Sequence, residues 1–160
     1  MLHQFVADFG ELVATTVPVI GVPAARPDDP GPLRVALRTD GERGFLVINN
    51  HQRYVDMPAR KVRFAVELSG GTVAFPDEPV AIAPSVTAIW PVRMPLLDAV
   101  LEWATVQPLM RLEFGSVPRL VFAAVPGVVP ELVLSGVAAT AASEGSALPA
   151  AGGHRVRPVP

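Results

Sequence analysis

The sequence predicts an all-β protein, an antiparallel β-sandwich of jelly-roll type with one short N-terminal α-helix. Two stretches, 33–49 and 62–75, each open with alternating apolar and polar residues and turn back on themselves at glycine. Beyond residue 80, short apolar runs follow one another with proline or glycine between them and no intervening helix. With 18 prolines and 13 glycines in 160 residues, the chain favours many short strands, whose ends, edges and bulges are where proline is tolerated.

Residues 1–22 form the first segment. Leu2, Phe5, Val6, Phe9, Leu12 and Val13 fall on one helical face, with His3, Gln4, Asp8 and Glu11 opposite, which predicts a helix of about three turns. Its wide apolar face either docks on the β domain or belongs to a neighbour outside this chain. Residues 23–32, rich in proline, read as an extended linker.

The sandwich is expected over 33–136. Leu33, Val35 and Leu37 alternate with Arg34, Ala36 and Arg38, and the turn Asp40-Gly41-Glu42-Arg43-Gly44 leads into the unbroken apolar run Phe45 to Ile48. Such a run marks a central strand covered on both faces. A second hairpin turns at Ser69-Gly70-Gly71, between Val62, Phe64, Val66 and Leu68 and the run 72–75. Further strands are expected at 80–83, 86–90, 100–106, 109–114, 120–125 and 132–134. Residues 137–153, dominated by Ala, Ser and Gly, read as a loop, and 156–160 as a strand that has only begun.

With 13 Lys and Arg against 15 Asp and Glu, a net charge of -2 supplies no field for a phosphate backbone or an anionic bilayer, so neither nucleic acid nor membrane is expected as a partner. There is no cysteine, hence no disulfide, thiolate ligand or cysteine nucleophile. No apolar run reaches the roughly 20 residues that span a bilayer, and the N-terminus lacks a signal-peptide pattern. A soluble chain is expected, with no compartment assigned.

His3, His51 and His154 lack metal-ligand spacing, and no phosphate loop, nucleophile elbow or dinucleotide fingerprint occurs. No metal or cofactor is therefore expected. Glu42, Glu67, Glu102, Glu113 and Glu131 lie on turns or polar strand sides, so no carboxylate pair is predicted and no catalytic residue is assigned. The densest polar cluster follows the central strand: Asn49, Asn50, His51, Gln52, Arg53, Tyr54 and Asp56. Asn49 to Arg53 either face a ligand or neighbouring domain, or, in the case of Asn49 and Asn50, complete the turn after the strand. Trp90 and Trp103 are candidates for stacking on a sugar ring, their alternative being the core.

At these residues the sequence resembles a known family. Gly44-Phe-Leu-Val-Ile-Asn-Asn-His-Gln-Arg53, Leu68-Ser-Gly-Gly-Thr72, Ile89-Trp-Pro91, Trp103-Ala-Thr-Val-Gln-Pro-Leu109 and Val121-Phe-Ala-Ala-Val-Pro-Gly127 are similar, in order and spacing, to the β-domain after the catalytic barrel in glycoside hydrolase family 35 β-galactosidases. The resemblance covers Leu33 to Leu134. It departs from the family pattern at His51, where an aromatic residue is common. It implies that residues 2–13 are the last helix of the barrel and that the chain is one piece of a longer enzyme. The catalytic glutamates would lie on barrel strands elsewhere. The implied role is an accessory domain packed beside the barrel, with Asn49, Asn50, His51, Gln52 and Arg53 facing the barrel or a galactoside. Self-association through the face that would meet the barrel, or through the helix, is a further expectation.

Two rivals belong to other classes. An independent carbohydrate-binding module needs an exposed aromatic strip from Trp90, Trp103 and Tyr54. A stand-alone hydrolase needs a cleft holding two close carboxylates.

Overall fold

The computed structural model describes every residue except 1, 21–25, 27, 97–98, 116, 137–139, 144–145, 150–153 and 157–160, so the expected linker over 23–32 falls partly outside the described residues. The elements are α1 (Leu2–Ala14), β1 (Val17–Ile20), β2 (Arg34–Thr39), β3 (Gly44–Asn49), β4 (Arg60–Leu68), β5 (Gly71–Ile82), β6 (Thr87–Leu96), β7 (Ala99–Ala104), β8 (Val106–Phe114), β9 (Val117–Ala124), β10 (Leu132–Gly136), β11 (Thr140–Ser143), β12 (Ser146–Pro149) and β13 (His154–Val156). The protein is all-β with one N-terminal helix.

Seven strands form one sheet in the order β1-β2-β3-β6-β7-β10-β13, every neighbouring pair antiparallel. The pairs β4–β5, β8–β9 and β11–β12 stand apart from it. The β4–β5 hairpin leaves the sheet after β3 and returns to β6, the next strand in the ladder. The β8–β9 hairpin does the same between β7 and β10.

Alternation along β3 shows how the sheet divides two cores. Leu46 and Ile48 pack with Ala88, Trp90 and Val92 of β6 and with Val66, Leu68, Phe75 and Ile82 of β4–β5. Phe45, immediately before Leu46 in the strand, packs on the other face with Phe5 and Phe9 of α1, Met94, Leu101 and Val106. The central strand is therefore covered on both sides, as its unbroken apolar run requires. Helix α1 docks on the β domain. Phe5 meets Phe45 edge-on with ring centroids 5.4 Å apart, and Asp8 accepts the backbone N–H of Arg111 at 2.7 Å.

The two faces exchange at Arg93. Val92 belongs to one core and Met94 to the other, two positions that ordinary alternation would place on one face. Arg93 has φ 50°, and the opposite strand makes the same switch between Leu101 and Trp103. The Arg93 guanidinium lies 3.8 Å from the Glu102 carboxylate and donates to the Gly70 carbonyl at 3.1 Å. Ser135 donates to the same carboxylate.

Three features differ from the sequence expectation. Strand β1 was not anticipated; it pairs with β2 from Val17 opposite Thr39 to Ile20 opposite Ala36. Strand β5 runs unbroken from Gly71 to Ile82 across Pro76 and Pro79, where two strands were expected. Its ladder with β4 shifts register between Val62 and Phe64, a bulge that absorbs the missing proline donors. Residues 137–153, expected as a loop, contain β11 and β12, and β13 begins at His154, ahead of the expected position. An antiparallel pair satisfies its backbone groups whatever its side chains, so an apolar pattern was not needed there. Among the described residues, no helix is long and apolar enough to cross a membrane.

Candidate functional site

The polar loop after β3 is built outward from Asn50, which is completely buried. Its side-chain amide donates to the carbonyls of Pro58 at 3.0 Å, Ile82 at 3.1 Å and Ala83 at 3.0 Å. Its backbone N–H donates to Val86 and its carbonyl accepts from Ser85, both at 2.9 Å. Asn50 thus joins the loop to both ends of the β4–β5 excursion. A side chain so enclosed cannot face a barrel or a ligand, which corrects the expectation for this residue: a buried amide nitrogen needs acceptors for its N–H groups, and three carbonyls supply them.

Asn49 is half-buried, and its Oδ1 accepts the backbone N–H of His51 at 2.9 Å. This is a turn that an asparagine side chain closes on its own backbone. Gln52 and Val55 form an isolated bridge, with Val55 N–H donating to the Gln52 carbonyl at 3.2 Å. Between them Arg53 and Tyr54 are pushed outward. Met57, buried again, returns the loop to the core, where Arg34 donates to its sulfur at 3.6 Å.

Of the five residues expected at the surface, His51 and Arg53 are exposed and Asn49 and Gln52 half-buried, while Asn50 is inside. Tyr54, which the sequence placed in the polar cluster and in the aromatic strip of the binding-module alternative, is the aromatic residue of that strip that lies at the surface. It is 90% exposed and has φ 64°. The Arg53 guanidinium carbon lies 4.7 Å from the centre of its ring. The signal available in the sequence was that this is the chain's one tyrosine, set within its most polar stretch.

Trp90 and Trp103 correct the stacking expectation. Trp90 is fully buried and Trp103 nearly so. Phe75 lies stacked on Trp103 at 5.6 Å and tilted against Trp90 at 6.2 Å, and Phe64 meets Trp90 edge-on at 6.0 Å. No indole face is left for a sugar.

Elsewhere, a groove of about 320 Å³ is lined by Pro95, Leu96, Arg111, Pro118, Arg119 and Leu120 and contains none of the residues singled out from the sequence. Among the described residues, no group of three or more His, Asp or Glu side chains could hold a metal ion. The acidity of the Asp40 carboxylate is altered. Burial pulls its pKa upward, but hydrogen bonds from the backbone N–H groups of Arg43 and Glu42, together with the Arg43 guanidinium 3.2 Å away, hold it below the ordinary value. These contacts brace the β2–β3 turn, which makes Asp40 a structural residue. A comparison with family models and with curated proteins finds no match to this chain.

Proposed function

We propose that this chain is a non-catalytic accessory β-domain of a β-galactosidase, the retaining glycoside hydrolase type that acts on terminal β-galactosides, and that it packs beside the catalytic barrel. The observation that carries the reading is the ordered set of resembling motifs from Gly44 to Gly127, taken together with their places in the fold. Gly44 to Asn49 is β3, a strand covered on both faces, and Asn50 joins it to the first hairpin. Ile89-Trp90-Pro91 lies in β6 beside it. Trp103 to Leu109 spans the β7–β8 corner, and Val121 to Gly127 ends the second hairpin. The motifs thus fall on the sheet centre and on the roots of its covers, positions that suit a domain whose role is to hold a shape.

Three of the described carboxylates support the same reading. Glu102 is engaged by Arg93 and Ser135, Glu67 accepts from Thr72, and Asp40 closes a turn. Each has a structural use. The second reading, an independent carbohydrate-binding module, draws on the exposure of Tyr54 alone, since both tryptophans lie in the core.

The test is hydrolysis of a chromogenic β-galactoside by the purified chain, followed by gel filtration of the chain mixed with a family 35 barrel that lacks its own β-domain. The expected result is no turnover above the buffer blank and co-elution with the barrel. Turnover by the chain alone would overturn the accessory reading.

A further inference from the structure

We infer that Tyr54, braced by Arg53, is a sugar-contact platform whose ligand is a terminal β-galactoside. The site rests on the geometry of the loop; the choice of sugar rests on the function proposed above. Tyr54 is 90% exposed, so its ring adds almost nothing to the core. Its φ of 64° is one that a side chain with a Cβ adopts at a cost, and glycine or asparagine would make the same turn more cheaply. Strain combined with exposure, in a loop pinned at Asn50 and Met57 and bridged from Gln52 to Val55, gives folding no return. Backbone strain of this kind is kept where a side chain has to be presented.

What is presented has a definite chemistry. The Arg53 guanidinium carbon lies over one face of the phenol ring, 4.7 Å from its centre, and the exposure of Tyr54 leaves the other face open. Around it the loop offers hydrogen-bonding groups, with Arg53, His51 and Asp56 all exposed. An apolar face with a polar rim matches a pyranose ring, which has C–H groups on its faces and hydroxyls at its edge. In a galactoside the axial O4 gathers the C3, C4 and C5 hydrogens into one continuous apolar patch. A protein partner would instead favour an anchor set among apolar neighbours.

Because the chain has a single tyrosine, ring-labelled ¹³C-tyrosine gives a reporter at this site alone. The experiment titrates the labelled chain with methyl β-galactoside and, separately, with methyl β-glucoside. The expected result is a saturable shift of the Tyr54 ring signals in the millimolar range with the galactoside, a much smaller response to the glucoside, and binding about threefold weaker in Arg53→Ala. A Tyr54 signal that stays still throughout the galactoside titration overturns the inference, and equal responses to the two sugars overturn the choice of ligand. Line broadening that follows protein concentration without sugar marks a protein contact and also overturns it. Free galactose is measured in the same samples: its appearance strikes at the non-catalytic reading, whereas a silent tyrosine strikes at the platform, so the two failures are distinct.

Discussion

The side-chain amide of Asn50 donates to the carbonyl of Ile82, 32 positions along the chain and 3.1 Å away. With the bonds to Pro58 and Ala83, this one group serves three carbonyls on both sides of an inserted hairpin. Asn50→Ala leaves the buried Ile82 carbonyl and two partly buried carbonyls without their donor, and should lower stability by about 2–4 kcal/mol. Urea denaturation followed by tryptophan fluorescence measures this. A loss below about 0.5 kcal/mol would show that the amide does not hold the hairpin root.

Phe75 is the hub of the aromatic cluster, in contact with Phe64, Trp90 and Trp103 and fully buried. Phe75→Ala should cost about 3–5 kcal/mol. It should also weaken the near-ultraviolet circular dichroism of both indoles. Retention of that signal at wild-type stability would mean the cluster repacks without its centre.

Tyr54→Gly should act in the opposite direction. The substitution relieves a left-handed conformation that costs a residue with a Cβ about 1 kcal/mol or more, although the unfolded chain gains freedom that offsets part of it. The thermal midpoint should therefore hold or rise, while affinity for a β-galactoside disappears. A clear fall in the midpoint would place the Tyr54 side chain among the groups that stabilise the fold.

Asp40 sets a pH dependence. Its folded pKa lies below the ordinary aspartate value, so the unfolded chain takes up the proton first as the solution is acidified. The stabilisation is thus complete above the unfolded value and is lost as pH falls through the lower folded value. Thermal unfolding of wild type and Asp40→Asn should differ at pH 7 and converge at about pH 2. A gap that stays constant over that range would exclude the carboxylate charge as its source.

The parts of the fold legible in the sequence were those with local causes. The alternation of Leu33, Val35 and Leu37 and the turn at Gly41 give β2–β3; Ser69-Gly70-Gly71 gives β4–β5. The run at Phe45 to Ile48 marks the sheet centre because each residue in it has a covered side. Strand β1 escaped notice because Val17-Pro18-Val19-Ile20 shows no alternation of apolar with polar residues, and its partner lies beyond the segment read as a linker. Pro76 and Pro79 read as breaks since the bulge that accommodates them forms only against β4. The site shows the same division. The polar cluster was visible, but whether Asn50 points inward depends on carbonyls more than 30 residues away. Whether Tyr54 points outward depends on a single backbone angle. Trp90 and Trp103 required knowledge of what lies across the sheet, and Phe75 supplied it.

The second hairpin has its own counterpart to Asn50. Thr105, completely buried at the corner between β7 and β8, donates to the Val129 carbonyl at 2.9 Å and accepts the Glu131 N–H at 2.8 Å, so it ties the start of the β8–β9 excursion to its end. Each cover is thus closed at its root by one polar residue, and the sheet keeps the same neighbours whether the cover is long or short. Such a plan is modular. Hairpin length and outer-face chemistry can change in one cover without rewiring the sheet or the opposite core, provided its root residue stays. The sheet, shared by both cores, should be the last part to exchange its amide protons, with each cover opening separately above it.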